Sequence, residues 1–216
     1  MTTMNQQFKE YIEQFKQKAS ADTQEKMSKA IEELENSSEG KGLRTGEEAP
    51  DFTLPDAKGE SVNLYDVLAE GPAIVTFYRG GWCPYCNMEL KAYQNILDEV
   101  HAAGGKLIAI SPQTPDASLS TKEKDELEFH VLSDEGNQVA DDFNLVYHLP
   151  DYLVDVYKEK GLNVDESNGD ESWTLPVSAT YVIRKDGTIA YEYTKADYKD
   201  RAEPSEVLEE LKKVKV

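Results

Sequence analysis

The spacing of hydrophobic residues changes along the chain, from a helical period near the start to short apolar runs beyond residue 43. A period of about 3.6 residues is typical of an amphipathic helix. It relates two groups of residues: Phe8, Ile12, Phe15 and Ala19, then Met27, Ile31 and Leu34. We predict a helical arm over residues 1–42, as two helices or one kinked helix, with Asp22 and Glu25 as a cap between them. The arm either packs on its own domain or contacts a second copy of the chain.

Residues 43–216 show the alternating pattern of a single α/β domain. Apolar runs predict strands at 73–78, 106–111 and 129–133, and hairpins that join 49–54 to 61–64 and 179–184 to 188–193. Helical patterns lie at 66–68, 118–127, 137–143, 151–160 and 204–213. The strands at 73–78 and 106–111 enclose a helix, which predicts a βαβ unit with parallel strands. The acidic stretch 149–173 is typical of a lid or binding loop.

Composition narrows the choice of partners. The 216 residues suffice for one buried domain with an appendage, and the formal charge of 23 − 42 = −19 disfavours nucleic acid and anionic membrane as partners. No segment reaches the length of a membrane-spanning helix. The opening residues lack a basic stretch followed by an apolar one, so we expect no secretory signal and a cytoplasmic location.

The chain has two cysteines, Cys83 and Cys86, separated by Pro84 and Tyr85. The strand predicted at 73–78 precedes them, and Gly80-Gly81 supply a flexible corner. A helix should begin at Pro84, because a first helical residue tolerates the missing N–H. One apolar stripe follows and ends before Gly104-Gly105: Leu90, Tyr93, Leu97 and Val100. We therefore predict Cys83 at the helix start and Cys86 in the first turn.

This placement indicates redox chemistry. Unpaired N–H groups and the positive end of the helix dipole stabilise a thiolate, which attacks disulfides and peroxides. A second thiol within reach can close a disulfide and release the product. One alternative is a structural disulfide or two buried small side chains. Another is a zinc site, for which the further ligands would come from His101, His130 and His148, widely spaced in the sequence. We expect neither a metal nor a cofactor.

The order of predicted elements resembles a thioredoxin fold, with a central mixed sheet flanked by helices. Residues 49–55 resemble the opening segment, and residues 76–90 the active-site segment, of the peroxiredoxin family (alkyl hydroperoxide reductase C and thiol-specific antioxidant, AhpC/TSA). Residues 110–114, 175–180 and 197–204 are similar to a branch of that family that carries Cys-Pro-Tyr-Cys. The resemblance implies a thiol-dependent peroxidase acting on hydroperoxides.

The resemblance also implies roles for single residues. Cys86 stands at the position of the family's peroxidatic cysteine, with Glu89 three residues on, as in the family. Cys83 replaces a threonine or serine that hydrogen-bonds the peroxide, and Arg79 replaces a proline. Trp82 and Tyr85 are expected to form an apolar rim around the sulfurs, together with Pro84.

Two further positions follow from the same resemblance. The family's second arginine has no counterpart near the late hairpin, and Arg79 or Arg201 is the candidate replacement. An arginine at either position is more commonly a surface or structural residue than a catalytic one. Pro176 stands where a thioredoxin fold places a cis-proline that faces the dithiol.

Three functions remain open from the sequence. The first is a peroxidase that runs a sulfenic acid–disulfide cycle on Cys83 and Cys86 and is reduced by thioredoxin or glutathione. The second is a thiol–disulfide oxidoreductase with Cys83 as nucleophile, because Cys83 should be the more exposed of the two. The third is a redox sensor without turnover, in which residues 149–173 move.

Overall fold

The computed structural model describes residues 3–214 and has a five-stranded mixed sheet at its centre. The strands are β1 (Thr53–Pro55), β2 (Ser61–Asn63), β3 (Ala73–Phe77), β4 (Lys106–Ser111), β5 (His130–Ser133), β6 (Val146–His148), β7 (Thr174–Pro176), β8 (Ala179–Ile183) and β9 (Ile189–Thr194). The central sheet has the order β5-β4-β3-β8-β9. β3 pairs in parallel with β4 and antiparallel with β8. Two-stranded sheets form from β1 with β2 and from β6 with β7.

Helices cover both faces of the central sheet. They are α1 (Met4–Lys18), α2 (Ala21–Asn36), α3 (Leu64–Glu70), α4 (Pro84–Asn95), α5 (Leu97–Ala102), α6 (Pro115–Lys124), α7 (Gln138–Asp142), α8 (Asp151–Glu159), α9 (Val164–Asn168) and α10 (Pro204–Lys213). Every residue of β3 is buried, and its alternate side chains enter two separate apolar clusters, one on each face. The mixed sheet, its flanking helices and the helical arm confirm the predicted fold class.

Most predicted elements are found close to their expected bounds. The parallel pair β3–β4, the hairpin β8–β9 and the last helix α10 are all present. One predicted helix is interrupted: α4 ends at Asn95 and α5 begins at Leu97, because Ile96 leaves the helical region with φ −113° and ψ 10°. The break spans one residue, so the predicted apolar stripe still lies on one buried face.

The cap predicted for the second helix was wrong, and another helix begins earlier than predicted. The hydroxyl of Ser20, and not the pair Asp22 and Glu25, caps α2 by accepting the N–H of Thr23 at 3.2 Å. α6 begins at Pro115, three residues before the predicted start, because Thr114 provides the cap.

The helical arm packs on the domain of its own chain. α1 lies against α4, and α2 lies against α8. Met4 and Phe8 are buried in the same apolar cluster as both cysteines. The carboxylate of Glu203 accepts the backbone N–H groups of Met4 and Asn5 at 2.9 and 3.0 Å, which satisfies two donors that the start of α1 leaves free. The first of the two predicted packing modes is therefore present, and an intermolecular contact stays a prediction.

Within residues 3–214, none of the helices combines the length and the apolar character that crossing a membrane requires.

Candidate active site

The loop between β3 and α4 is fixed by hydrogen bonds on both sides. Gly81 donates its N–H to the side chain of Gln113 at 3.0 Å, and its carbonyl accepts from Asn87 at 2.8 Å. Gly80 has a φ of +147°, and a Cβ at this position would lie 2.4 Å from the indole nitrogen of Trp82. Only glycine fits here, because a side chain would push the Trp82 ring out of its place.

The two cysteines occupy the predicted positions at the start of α4. Cys83 is the N-cap residue, Pro84 is the first helical residue, and Cys86 lies in the first turn. Both thiols are free. Both cysteines are buried, and Cys83, at 2% exposed against 0% for Cys86, is the more exposed of the two, as predicted. Both cysteines belong to one apolar cluster that also contains Tyr85.

Cys86 lies in a closed and charge-balanced environment. Nη2 of Arg201 approaches its sulfur at 3.6 Å, and Nη1 of the same guanidinium forms an ion pair with Glu89. Arg201 is 4% exposed and Glu89 is 1% exposed. A third donor, Nε of Arg201, bonds the carbonyl of Tyr198 at 2.8 Å. The Arg201 guanidinium is thus satisfied on each of its edges and paired with one carboxyl group, whose pKa burial raises to about 7.

Arg79 is also buried, yet it has no carboxylate partner among residues 3–214. Three aromatic rings enclose its guanidinium, at 5.0 Å from Trp82, 5.6 Å from Tyr157 and 4.4 Å from Tyr198. Nη2 donates to the hydroxyl of Tyr157, and Nε has no hydrogen-bond partner. Ring faces attract a desolvated cation, which accounts for its burial without a carboxylate. Neither arginine is the surface residue that its type would suggest.

The two thiols are shifted in opposite directions. Burial alone raises the pKa of Cys83, but a hydrogen bond from Cys86 and the charges of Arg79 and Arg201 outweigh burial and lower the pKa to about 6. Burial and the neighbouring Cys83 sulfur raise the pKa of Cys86 well above its usual value. Two thiols in contact lose one proton readily, but the first thiolate disfavours the loss of a proton from the second thiol. At neutral pH the dithiol therefore carries a thiolate on Cys83 and a thiol on Cys86.

A cavity of about 270 Å³ opens onto Cys83 and not onto Cys86. Its walls come from α1 and α2, from the dithiol loop, from the end of α8 and from the segment before α10. The lining residues are Tyr11, Ile12, Phe15, Lys16, Thr23, Gln24, Met27, Ser28, Arg79, Trp82, Cys83, Pro84, Tyr85, Val156, Tyr157, Lys160, Leu162, Tyr198 and Lys199. The walls are mostly apolar, so a hydrophobic molecule can reach the Cys83 sulfur.

Trp82, Pro84 and Tyr85 lie in this wall, as predicted from the sequence. The ring of Tyr85 is held edge-on between Phe8 at 5.2 Å and Tyr11 at 5.3 Å, so the arm helps to position the dithiol loop.

Pro176 does not join this group. Its peptide bond is trans, and β7 pairs it with Val146 of β6, so the expected cis-proline facing the dithiol was wrong. The next residue, Val177, continues the pairing by donating to Leu145 at 2.8 Å. Extended pairing suits a trans peptide on both sides of the residue.

Two candidate functional residues were not singled out from the sequence. Tyr157 and Tyr198 complete the cage around Arg79 from distant segments of the chain. Tyr198 lies in a stretch that resembles the peroxiredoxin branch, but Tyr157 carries no such signal. Among the described residues, no cluster of three or more His, Cys, Asp or Glu side chains is arranged to hold a metal ion.

The sequence profile of the AhpC/TSA family matches residues 45–192, more than two thirds of the chain. Peroxiredoxin Bcp of Escherichia coli strain K12 is 36% identical over 103 residues, which cover 48% of this chain and 65% of the relative. The chloroplastic peroxiredoxin Q of Oryza sativa subsp. japonica is 32% identical over 148 residues, which cover 68% of this chain and 58% of the relative. The matches thus span less than two thirds of the length of these relatives.

The fold is also similar to solved structures. The crystal structure of peroxidoxin BcpB from Mycobacterium tuberculosis matches with a TM-score of 0.64 at 20% identity, covering 81% of this chain and 99% of the other. At this identity the likeness concerns the path of the backbone. It agrees with the mixed sheet and flanking helices described above.

Proposed function

The chain belongs to the AhpC/TSA family, and from that premise we propose that it is a thiol-dependent peroxidase, the activity for which its relatives are named. One observation carries the proposal. The Cys83 thiolate faces a cavity beside the unpaired Arg79 guanidinium, and a second thiol lies in contact with it on the closed side. Such a pair can attack a peroxide and then resolve the product without a second protein.

The proposed reaction has two chemical steps. The Cys83 thiolate attacks the terminal oxygen of a hydroperoxide, so that an S–O bond forms while the O–O bond breaks. The departing alkoxide takes a proton from water, and Cys83 becomes a sulfenic acid. The Cys86 thiol then attacks the sulfenic sulfur and gives its proton to the departing hydroxide, which closes the disulfide and releases water. Two electrons have passed from the dithiol to the peroxide.

The surrounding residues have distinct proposed roles. Arg79 stabilises the Cys83 thiolate, and its free Nε–H is available to the oxygen that gains charge as the O–O bond breaks. Arg201 and Glu89 hold the Cys86 thiol in the resolving position. Trp82 and Tyr85 form apolar walls beside the reacting sulfur. Arg79 and Arg201 together would thus replace the groups that the family pattern supplies elsewhere.

A reductant must return the two electrons. Thioredoxin or glutathione fits this requirement, because either can open the disulfide by thiol–disulfide exchange. A reducing cytoplasm is the location that suits such a cycle. A homodimer formed through the arm remains part of the proposal.

Stopped-flow oxidation of the reduced protein by hydrogen peroxide and tert-butyl hydroperoxide tests this function. We expect rates well above that of free cysteine at the same pH, together with loss of two thiols per peroxide. A rate no better than that of free cysteine would rule the peroxidase out.

One observation favours a second candidate, a thiol–disulfide oxidoreductase. The cavity exposes the first cysteine of the motif, Cys83, whereas the family pattern places the peroxidatic sulfur at Cys86. In this function Cys83 attacks a glutathione or protein mixed disulfide and Cys86 resolves it. Turnover of a glutathione mixed disulfide that Cys83→Ser abolishes and Cys86→Ser retains, without peroxidase activity in the wild type, would establish it.

A further inference from the structure

The cavity above Cys83 differs in charge from the rest of the protein. The chain has 42 acidic and 23 basic residues in 216, so about four acidic residues would be expected among the nineteen that line the cavity. None of these nineteen described residues is Asp or Glu, and four are cationic: Lys16, Arg79, Lys160 and Lys199. An acidic protein thus has a cationic and otherwise apolar cavity next to its reactive sulfur.

The four cations differ in how far they are neutralised. Lys16 pairs with Glu13 at 2.8 Å, and Lys199 pairs with Asp197 at 2.6 Å. Lys160 is exposed and forms no ion pair with a residue of the described chain. Arg79, at the opposite extreme of burial, also has no carboxylate partner among residues 3–214. The cavity therefore presents a free cation at its solvent side and another beside the reacting sulfur.

The apolar part of the lining comes largely from the helical arm. Ile12 and Phe15 of α1 and Met27 of α2 face the dithiol loop across the cavity. The volume of about 270 Å³ lies just below the usual range of small-molecule pockets, about 300–1,000 Å³. This space exceeds what hydrogen peroxide needs, so its walls can select the organic part of a substrate.

We propose that the arm and Lys160 form a binding site for an organic hydroperoxide whose apolar chain carries a carboxylate. The chain lies between the arm and the dithiol loop, the O–O bond reaches Cys83, and the carboxylate lies at the solvent side near Lys160. This inference rests on the proposed peroxidase function and specifies its substrate. The chemical step is the attack of the Cys83 thiolate on the O–O bond, and the released product is the hydroxy acid.

The test compares a fatty-acid hydroperoxide with its methyl ester, both below the concentration at which they form micelles. The two share the apolar chain and the O–O bond and differ only in the charge. We expect kcat/KM to be about fivefold higher for the acid, because a partly exposed ion pair contributes roughly that ratio. Equal values for acid and ester would overturn the proposal.

Substitutions at two positions in the cavity test whether its positive charge recognises the carboxylate. Ser28 is exposed, lines the cavity and forms no side-chain hydrogen bond with a described residue, so Ser28→Asp adds the missing acidic charge without breaking a contact. We expect Ser28→Asp and Lys160→Gln each to reduce the acid-to-ester ratio towards one, whereas Ser28→Asn, of the same size as Asp, retains it. Lys185→Gln, in the exposed turn between β8 and β9, changes the net charge equally and serves as the remote control. A ratio that falls equally in Lys185→Gln and Lys160→Gln would contradict a local site.

A binding measurement separates this inference from the proposed function. Calorimetry of decanoate and decanol with the reduced protein requires no peroxide chemistry. Preferential binding of decanoate that Ser28→Asp abolishes would support the site even if no peroxide were reduced, and only the peroxidase function would then fail. Reduction of peroxides without any preference for decanoate or for the acid would overturn the site and leave the peroxidase intact.

Discussion

The two halves of the dithiol lie one helical turn apart and have opposite electrostatic environments. On one side, the guanidinium of Arg201 contacts Cys86 and forms an ion pair with Glu89. On the other side, the guanidinium of Arg79 lies in an aromatic cage, and its charge lowers the pKa of Cys83. The first half is closed, and the second opens onto the cavity.

The two halves differ in how strongly the positive field of each guanidinium acts on the neighbouring sulfur. A carboxylate in contact with a guanidinium cancels most of the field that a neighbouring thiol would feel. Arg79 has no such partner among the described residues, so its field acts on Cys83. Burial and the adjacent Cys83 sulfur raise the pKa of Cys86, whereas the charges of Arg79 and Arg201 help to lower the pKa of Cys83.

The largest effect is expected when each sulfur in turn is replaced by a hydroxyl. Cys83→Ser should reduce peroxide turnover by roughly 10³-fold or more, because the nucleophile is lost. Cys86→Ser should still react once with peroxide and accumulate a sulfenic acid on Cys83. Trapping with dimedone and mass spectrometry measures this product. A sulfenic acid that accumulates on Cys86 in Cys83→Ser would assign the roles in reverse.

The closed half should respond mainly in stability. Arg201→Gln leaves the buried Glu89 without its partner, and breaking a buried ion pair costs about 3–5 kcal/mol in the free energy of unfolding. Denaturant unfolding measures this loss. The double variant Arg201→Gln/Glu89→Gln should recover part of it, because no uncompensated charge remains. Equal losses in the single and double variants would show that the pair does not act as a unit.

The open half should respond mainly in reactivity. Arg79→Gln removes one of the two cations that lower the pKa of Cys83, and loss of a nearby opposite charge raises a thiol pKa by about 1–3 units. At pH 7 the thiolate fraction, and with it the rate of alkylation by iodoacetamide, should fall about tenfold. Arg79→Lys keeps the charge and is the matched control. An unchanged midpoint of alkylation near pH 6 in Arg79→Gln would contradict the assignment.

The same shift gives a dependence of stability on pH. The pKa of Cys83 falls from an ordinary 9.0 to about 6 in the folded protein. Between these values the unfolded chain binds more protons, so the Cys83 contribution to the unfolding free energy rises with pH. It is fully present above pH 9 and is lost as the pH falls through 6. Cys83→Ser should flatten this rise in denaturant unfolding measured from pH 6 to pH 9, and an undiminished slope would exclude the thiolate as its source.

The sequence predicted the surroundings of the two arginines less well than the position of the dithiol. A proline after Cys83, an apolar strand before it and a helical stripe after it are local signals, and each agrees with the structure. Burial of Arg79 and Arg201 depends on aromatic rings and a glutamate from distant segments, and a single arginine carries no sequence signal for burial. The periodicity of the arm predicted which residues face inwards, but a helical period does not specify the surface that they meet.

The prediction of a cis-proline at Pro176 was wrong for a related reason. The fold resemblance placed it at a position that faces the dithiol in other proteins, but the choice between cis and trans depends on the strand that pairs with it. Here β6 provides that pairing, through Val146. Long-range pairing of this kind cannot be deduced from the residues next to the proline.

The smallest effect concerns the hydroxyl that holds the Arg79 cage together. Tyr157→Phe keeps the ring beside the guanidinium and removes the acceptor of the Nη2 hydrogen bond. A hydrogen bond to a charged group contributes about 1.5–3 kcal/mol, and the retained ring stacking should keep the loss near the lower end. The charge of Arg79 is unchanged, so the pH midpoint of Cys83 alkylation should move far less than in Arg79→Gln. If the midpoint shifted as much as in Arg79→Gln, the position of the guanidinium, and not only its charge, would determine the reactivity of Cys83.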